Sequence, residues 1–497
     1  MAAKYIMVID EGTTGTRALI VDKDSNVKAQ AYSEFTQYNP APDRVEHDAE
    51  EIWSAVQAMV KKALDEAGLK PTDIAAIGIT NQRATTTLWD RKTGKPVTRS
   101  IVWQDTRTAG YVEEIREKWA DKAYGHTGWA LAPVYSSLSL HWMMENVPGV
   151  KKRAAAGELA FGTIDSFLIY KLTGGKVHAI AASNATVTGC YDMLNDEWYG
   201  EWLDFLGVPL AIFPEVRDDS GDFGVTDPAV FGAAIPITGA IGDQQAALFG
   251  QACLEPGSLK CTIGTGTFVD MNIGPKVAMS TNGLNALIAW RMNGKTTYGL
   301  EGYAAVTGAA VQWLRDGAEL IKESAETEAL ATSVEDNGGV YFVPALAGLS
   351  APYWDSFARG LIIGITRGTT RAHLVRATLE GLVYSTKDFL DTMRSDSGVD
   401  IKSLKVDGGA ARNDFLMQFH ADMLDAEVVR PINPEATSMG AAYMAGLAVG
   451  YWKSPAECFA AQKIDKVFKP KMSAVERDRL YAEWTKAVKR SMAWVSG

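Results

Sequence analysis

At 497 residues the chain is too long for one compact core, so two large domains of roughly half that length are expected. Hydrophobic residues make up 47% and charged residues 22%, which excludes a disordered or fibrous chain. With 49 basic and 60 acidic side chains the net charge is -11, which argues against nucleic acid or an anionic bilayer as a partner.

The opening residues MAAKYIMVID run into a strand pattern without the features of a signal peptide, and no run approaches about eighteen apolar residues. A cytoplasmic protein with no membrane insertion is expected. Apolar runs at residues 6–9 and 18–21 flank a Gly- and Thr-rich loop at 11–16, the pattern of a β-hairpin. Ile52, Val56, Met59, Val60 and Leu64 then recur at helical spacing. IAAIGIT before Asn81 and IPITGAIGD before Gln244 read as strands. In SLKCTIGTGTFVDMNIG the hairpin shape returns, with its loop at 264–267.

One hairpin opening each half predicts two domains of common plan, 1–252 and 253–497. GVYFVPAL, HLVRATLEGLVYSTKDFLDTM, LKVDGG and NDFLMQFHADML continue the alternation of strand and helix, and a last helix is expected over 474–495. The fold class is α/β, with mixed sheets covered by helices. Cys190, Cys253, Cys261 and Cys458 form no CxxC pair, so neither a zinc site nor a disulfide framework is indicated.

Loops of Gly and small hydroxyl residues let backbone N–H groups converge on an anion. Gly12, Thr13 and Thr14 have that composition, as do Gly264, Thr265 and Gly266. Either loop alone reads first as a plain hairpin turn, and their duplication shifts the reading toward phosphate. Arg17 would add a fixed charge. Asp10 ends the first strand, where it caps the turn or holds a hydrated Mg²⁺. Asp243 follows the strand IPITGAIG, where it is a helix N-cap or a general base. Phosphoryl transfer needs little beyond such a base, a metal and donors around the γ-phosphate. The six histidines have no evident Ser or Cys partner, which leaves a hydrolase triad without support. VDGGAARND, at 406–414, has the strand, glycine pair and helix start that let a flat nucleotide ring approach backbone.

Together with IDEGTTGTRA, RVEHDAEEIW, AAIGITNQR, IVWQDTRT, GDQQAALFGQ, QWLRD, GLSAPYWDSFARG and the stretch 360–380, these motifs cover nearly the whole chain. The sequence resembles the FGGY carbohydrate kinases, most of all their glycerol-phosphorylating members. The resemblance implies two actin-like, ribonuclease H-like domains with an interdomain catalytic cleft. It implies ATP and Mg²⁺ as cofactors, and phosphorylation of a terminal hydroxyl of glycerol or a related small polyol or ketose. Asp243 would be the catalytic base and, with Asp10, a metal ligand. Arg83, Ala84, Trp103, Val134, Tyr135, Gln244 and Phe268 would line the polyol pocket with Asp243. Thr13, Thr14, Arg17 and Thr265 would meet phosphate, and Gly308, Gln312, Gly409 and Asn413 the nucleotide. The first domain would bind polyol and phosphate, the second the nucleotide. A homo-oligomer, dimer or tetramer, is also implied.

The departures from that pattern lie at the substrate. Ala84 stands where the glycerol-phosphorylating members have Glu, Val134 where they have Tyr, Tyr135 where they have Phe, Ser139 where they have Lys, and Glu11 where they have Gln. A lost carboxylate and a lost phenol remove two hydrogen-bonding partners, each worth on the order of 1 kcal/mol in a dry pocket. Two outcomes are open: Tyr135 swings into the gap and glycerol binds, or the acceptor is a four- or five-carbon polyol or ketose such as erythritol, threitol, erythrulose or a pentitol. A non-catalytic polyol-sensing pseudokinase is the alternative of another class.

Overall fold

The computed structural model describes residues 4–264, 266–304, 306–432 and 435–495. Strands β1 (Tyr5–Glu11), β2 (Gly15–Val21) and β3 (Val27–Glu34) form an antiparallel meander. Helix α1 (Ala49–Ala67) begins where the Asp48 side chain accepts the Glu50 N–H at 2.9 Å, and ends at Gly68 in the left-handed conformation. Its Ile52, Val56, Val60 and Leu64 are buried against the sheet. β4 (Ile74–Asn81) and, much later, β5 (Ile237–Gly242) complete the order β5-β4-β1-β2-β3, with β4 parallel to both β1 and β5.

Helix α2 (Asp243–Gly250) leads into a second sheet of β6 (Ser258–Ile263), β7 (Thr267–Gly274), β8 (Asn285–Met292) and β9 (Lys295–Ala304). After α3 (Gly308–Asp316) and α4 (Arg371–Ser397) come β10 (Ser403–Asp407), α5 (Asp414–Leu424), β11 (Glu427–Pro431), α6 (Ala436–Ala448), β12 (Ile464–Phe468) and α7 (Ala474–Ser491). The strand order is β8-β9-β7-β6-β10-β11-β12. In each sheet the leading strand, β1 or β6, has an antiparallel hairpin partner on one side and a parallel strand on the other. The two halves are therefore actin-like units of one plan.

Side-chain alternation decides what each face of the second sheet meets. Leu259, Cys261, Ile263, Val269, Met271 and Leu300 enter the core of the second half. Lys260, Phe268, Asp270 and Glu301 occupy the opposite face, toward the first half. Helix α6 crosses back to cover the first sheet, which small residues make possible. A Cβ on Gly440 would lie 2.0 Å from the Ala246 carbonyl oxygen, and one on Gly78 2.3 Å from that of Ala441. The second half thus braces the strands that end at the cleft.

The last helix stops at Ser491 rather than continuing to 495. Ala493 adopts φ 48 and its N–H donates to Asp355 Oδ2 at 2.7 Å, which turns the chain off the helix axis. Among the described residues no helix is long and apolar enough to cross a membrane.

All four cysteines are buried, and burial pushes the Cys253 and Cys458 thiols up to about 12. The thiolate is the reactive form. None of the four is expected to react with a disulfide reagent near pH 8 in the native protein, and all four after unfolding; thiol titration with and without denaturant checks this.

Candidate active site

β1 and β5 both run parallel to β4, so the carboxyl ends of the three share one edge, the edge where open α/β sheets take ligands. Asp10 lies at the end of β1, Arg83 just past β4, and Asp243 at the first turn of α2. With β4 between them, β1 and β5 are about 10 Å apart. The charge of Asp243 is close enough to help raise the Asp10 carboxyl, which burial chiefly carries up to about 6 against the Ser438 hydrogen bond and Arg17.

Asp243 is not the N-cap of its helix; Gly242 holds that place. Its Oδ1 accepts the Gln244 N–H at 2.7 Å and lies 3.3 Å from Arg83 Nε, with the side chain 31% exposed to the cleft. Burial raises its carboxyl above the usual range, against the pull of Arg83 and the Gln244 N–H. A carboxylate made more basic and left open to solvent is suited to accept a proton.

The neighbouring wall collects the other residues expected to line the acceptor pocket. The Arg83 guanidinium lies 5.8 Å from the Trp129 ring, which meets Tyr135 edge-on at 5.3 Å. Ala84, Trp103, Val134 and Tyr135 belong to one apolar cluster with Trp129. Trp103 Nε1 donates to Thr13 Oγ1 at 3.0 Å, tying this wall to the first phosphate loop. Phe268, on β7, packs on Tyr303 at 4.5 Å, and Gln244 Oε1 accepts from the Lys260 ammonium.

In the first loop the Gly12 N–H donates to the Gly15 carbonyl at 3.0 Å, and Thr14 O accepts from Phe35 N at 3.3 Å. Arg17 is paired with Glu435, and the Ser438 hydroxyl donates to Asp10. Glu11 accepts from Thr16 Oγ1 at 3.1 Å, and burial holds its carboxyl well above the usual range. Burial thus favours its uncharged form relative to a free glutamate. In the second loop Gly264 N–H donates to Gly266 O at 2.9 Å, and Gly308 N–H reaches back to Gly264 O at 3.0 Å. Thr265 lies outside the described residues.

Gly308, Gln312, Gly409 and Asn413 line a single cavity of about 510 Å³ in the second half. Asn413 Oδ1 caps α5 by accepting the Leu416 N–H at 2.9 Å, while its Nδ2 donates to Thr327 Oγ1 at 3.1 Å. Open space stands where a Cβ of Gly409 would be, which leaves room for a flat ring against backbone. Thr327, Glu328 and Arg412 also line this cavity and were not singled out from sequence.

A divalent cation fits the first-sheet edge. The charge of Asp243 helps raise the Asp10 carboxyl, and the arginines beside the two are shared, Arg17 with Glu435 and Arg83 with Glu301. Among the described residues no group of three or more metal-binding side chains occurs. Mg²⁺ needs only one or two carboxylates, with waters and phosphate oxygens.

Sequence reasoning also missed Lys260, Asp270 and Glu301, buried charges at 0%, 1% and 6% side-chain exposure on the face that meets the cleft. The available signal was a charge at an inward-pointing position of LKCTI, FVDMN and GLEG, strands otherwise apolar or glycine-rich.

A sheet edge bearing Asp10, Arg83 and Asp243 in one half and a cavity of about 510 Å³ in the other fit a two-domain phosphotransferase that acts on an alcohol group. The chain belongs to the FGGY family of carbohydrate kinases, whose N-terminal domain matches residues 5–250 and C-terminal domain residues 259–449. It is 52% identical over 492 residues to glycerol kinase 2 of Thermotoga maritima, covering 99% of each chain. To the glycerol kinase of Thermococcus gammatolerans it is 52% identical over 491 residues, 99% of this chain and 98% of that one. The fold matches a crystal structure of Plasmodium falciparum glycerol kinase with ADP at a TM-score of 0.93, with 35% identity and 98% of each chain covered.

Proposed function

We propose that this protein transfers the γ-phosphoryl group of ATP to a terminal hydroxyl of glycerol, with residues 1–252 binding acceptor and phosphate and residues 253–497 the nucleotide. The observation that carries this reading is Asp243, open to the cleft at the carboxyl edge of the first sheet and beside Arg83. Arg83, Trp103 and Gln244 orient the acceptor, and Asp243 takes the proton from the attacking oxygen. Thr13 and Thr14 present hydroxyl and N–H groups to phosphate, and Arg17 exchanges Glu435 for phosphate oxygens. Mg²⁺, when bound by Asp10 and Asp243, would neutralise charge on the transferred group.

Tyr135 stands in the same cluster as Ala84 and Val134, which supports glycerol over a four- or five-carbon acceptor. The complete set of Asp10, Arg17 and Asp243 at one edge speaks against a polyol-sensing pseudokinase. As part of the same reading, the enzyme works in the cytoplasm, in keeping with four buried free thiols, and as a homodimer or homotetramer. Coupled ADP release over glycerol, dihydroxyacetone, erythritol, threitol, erythrulose and the pentitols tests the substrate. Glycerol is expected to lead in kcat/KM by at least about tenfold over each longer acceptor; a four- or five-carbon optimum, or no turnover at all, overturns the reading.

A further inference from the structure

Lys260, Asp270 and Glu301 are direct cross-strand neighbours on β6, β7 and β9. Opposed positions bring their Cβ atoms to about 5 Å, so two carboxylates sit side by side in a buried row. Like charges placed that way are unfavourable unless cations flank them. Lys260 Nζ flanks one end, 2.7 Å from Asp270 Oδ2. Arg83 Nη2 flanks the other, 2.6 Å from Glu301 Oε2, and it comes from the opposite half of the molecule. Each flanking cation continues to an acceptor-site residue: Lys260 donates to Gln244 Oε1, and Arg83 Nε stands 3.3 Å from Asp243 Oδ1.

A buried ionic row is poor at stabilising a fold, since apolar residues of similar volume do as well. Its presence in strands that are buried along nearly their whole length marks a local conflict of the sort that functional sites carry. The Arg83 contacts show what the row does. Its guanidinium lies closer to Glu301 than to Asp243, and Nη1 donates to Gln245 Oε1 at 3.3 Å, so each of the three guanidinium nitrogens has an oxygen within 3.3 Å. Without Glu301 that fork would turn onto Asp243, withdrawing a donor from the acceptor.

We propose that Glu301, supported by Asp270 and Lys260, is a positioning residue of the transfer reaction, drawing the Arg83 guanidinium toward the acceptor and away from full pairing with Asp243. The inference rests on the reading of Arg83 as an acceptor-site residue, and a double-mutant cycle on the full-length enzyme separates the two. Glu301→Gln is expected to lower kcat/KM for glycerol about a hundredfold, the scale of a misplaced contact group, mainly through KM, with ADP affinity within about twofold of wild type. In an Arg83→Ala background the same change is expected to lower it less than about threefold, because the group through which it acts is gone. A purely structural role would give additive losses, and additivity overturns the inference, as does an unchanged kcat/KM in Glu301→Gln. An unchanged glycerol KM in Arg83→Ala brings down the acceptor-site reading and this inference with it. Glu301→Asp keeps the charge on a shorter stem and is expected to recover about tenfold of the loss, leaving the glycerol KM still about tenfold above wild type. Should Glu301→Gln not fold, Glu301→Asp carries the test alone: a raised glycerol KM at unchanged ADP affinity supports the inference, and an unchanged KM overturns it.

Discussion

Asp243→Asn is expected to lower kcat by about 10²–10⁴-fold, the range that a positioned general base contributes, while ADP binding stays close to wild type. The substitution preserves shape and removes the charge, the proton-accepting function and one of the two carboxylates proposed to hold Mg²⁺. The cavity proposed to hold the nucleotide is built from the other half of the chain, around Gly308 and Asn413, and does not include this side chain. The pH dependence has a definite sign. The base must be ionised to act, and burial raises the Asp243 carboxyl, so in wild type kcat/KM falls as pH drops through a value above the ordinary aspartate range. That acid limb is expected to be lost in the residual activity of Asp243→Asn. Steady-state rates from ADP release, with ADP affinity from calorimetry, check both parts; undiminished turnover ends the assignment of Asp243 as base.

The repeated hairpins were legible because strand and turn signals are local. In YIMVIDEGTTGTRALIVD and SLKCTIGTGTFVDMNIG the apolar runs and the Gly-Thr turns lie within one short window, and the structure places a β-hairpin at each. Helix α1 was legible from its spacing, and Asp48 and Gly68 close its two ends. Other features depend on contacts that no window contains. In GAAYMAG the small residues give no hint that α6 crosses to the first sheet, because the reason lies in the carbonyl of Ala246 and in Gly78. The end of α7 depends on Asp355, far away in sequence. Within the site, Asp10, Arg83 and Asp243 were marked by motif, whereas Glu301 acquires meaning only once β9 is laid beside β7 and Arg83 approaches from the other half. The raised carboxyl of Glu11 is likewise a product of burial, which its letter alone does not carry.

The same buried row predicts a large effect on stability at Lys260. Its ammonium is fully buried, 2.7 Å from Asp270, and Asp407 adds a second nearby carboxylate. Burial alone would lower its pKa, but Asp270 and Asp407 outweigh that and raise it. A raised lysine pKa contributes stability that is complete below the unfolded value of about 10.4 and is lost only as pH rises through the folded value, so the pair is intact at neutral pH. Lys260→Met keeps the volume of the stem and deletes the charge, leaving Asp270 beside Glu301 with no cation on its side. The loss is expected to be about 3–5 kcal/mol, the scale for breaking a buried pair from one side. Lys260→Met/Asp270→Leu removes both charges and is expected to regain most of that loss, because an apolar pair needs no counter-ion. Chemical denaturation of wild type, single and double variants at one pH and salt concentration measures the difference. If the double variant were as unstable as the single, the destabilisation would come from packing around the stem, and the charge row would not be what makes Lys260 necessary.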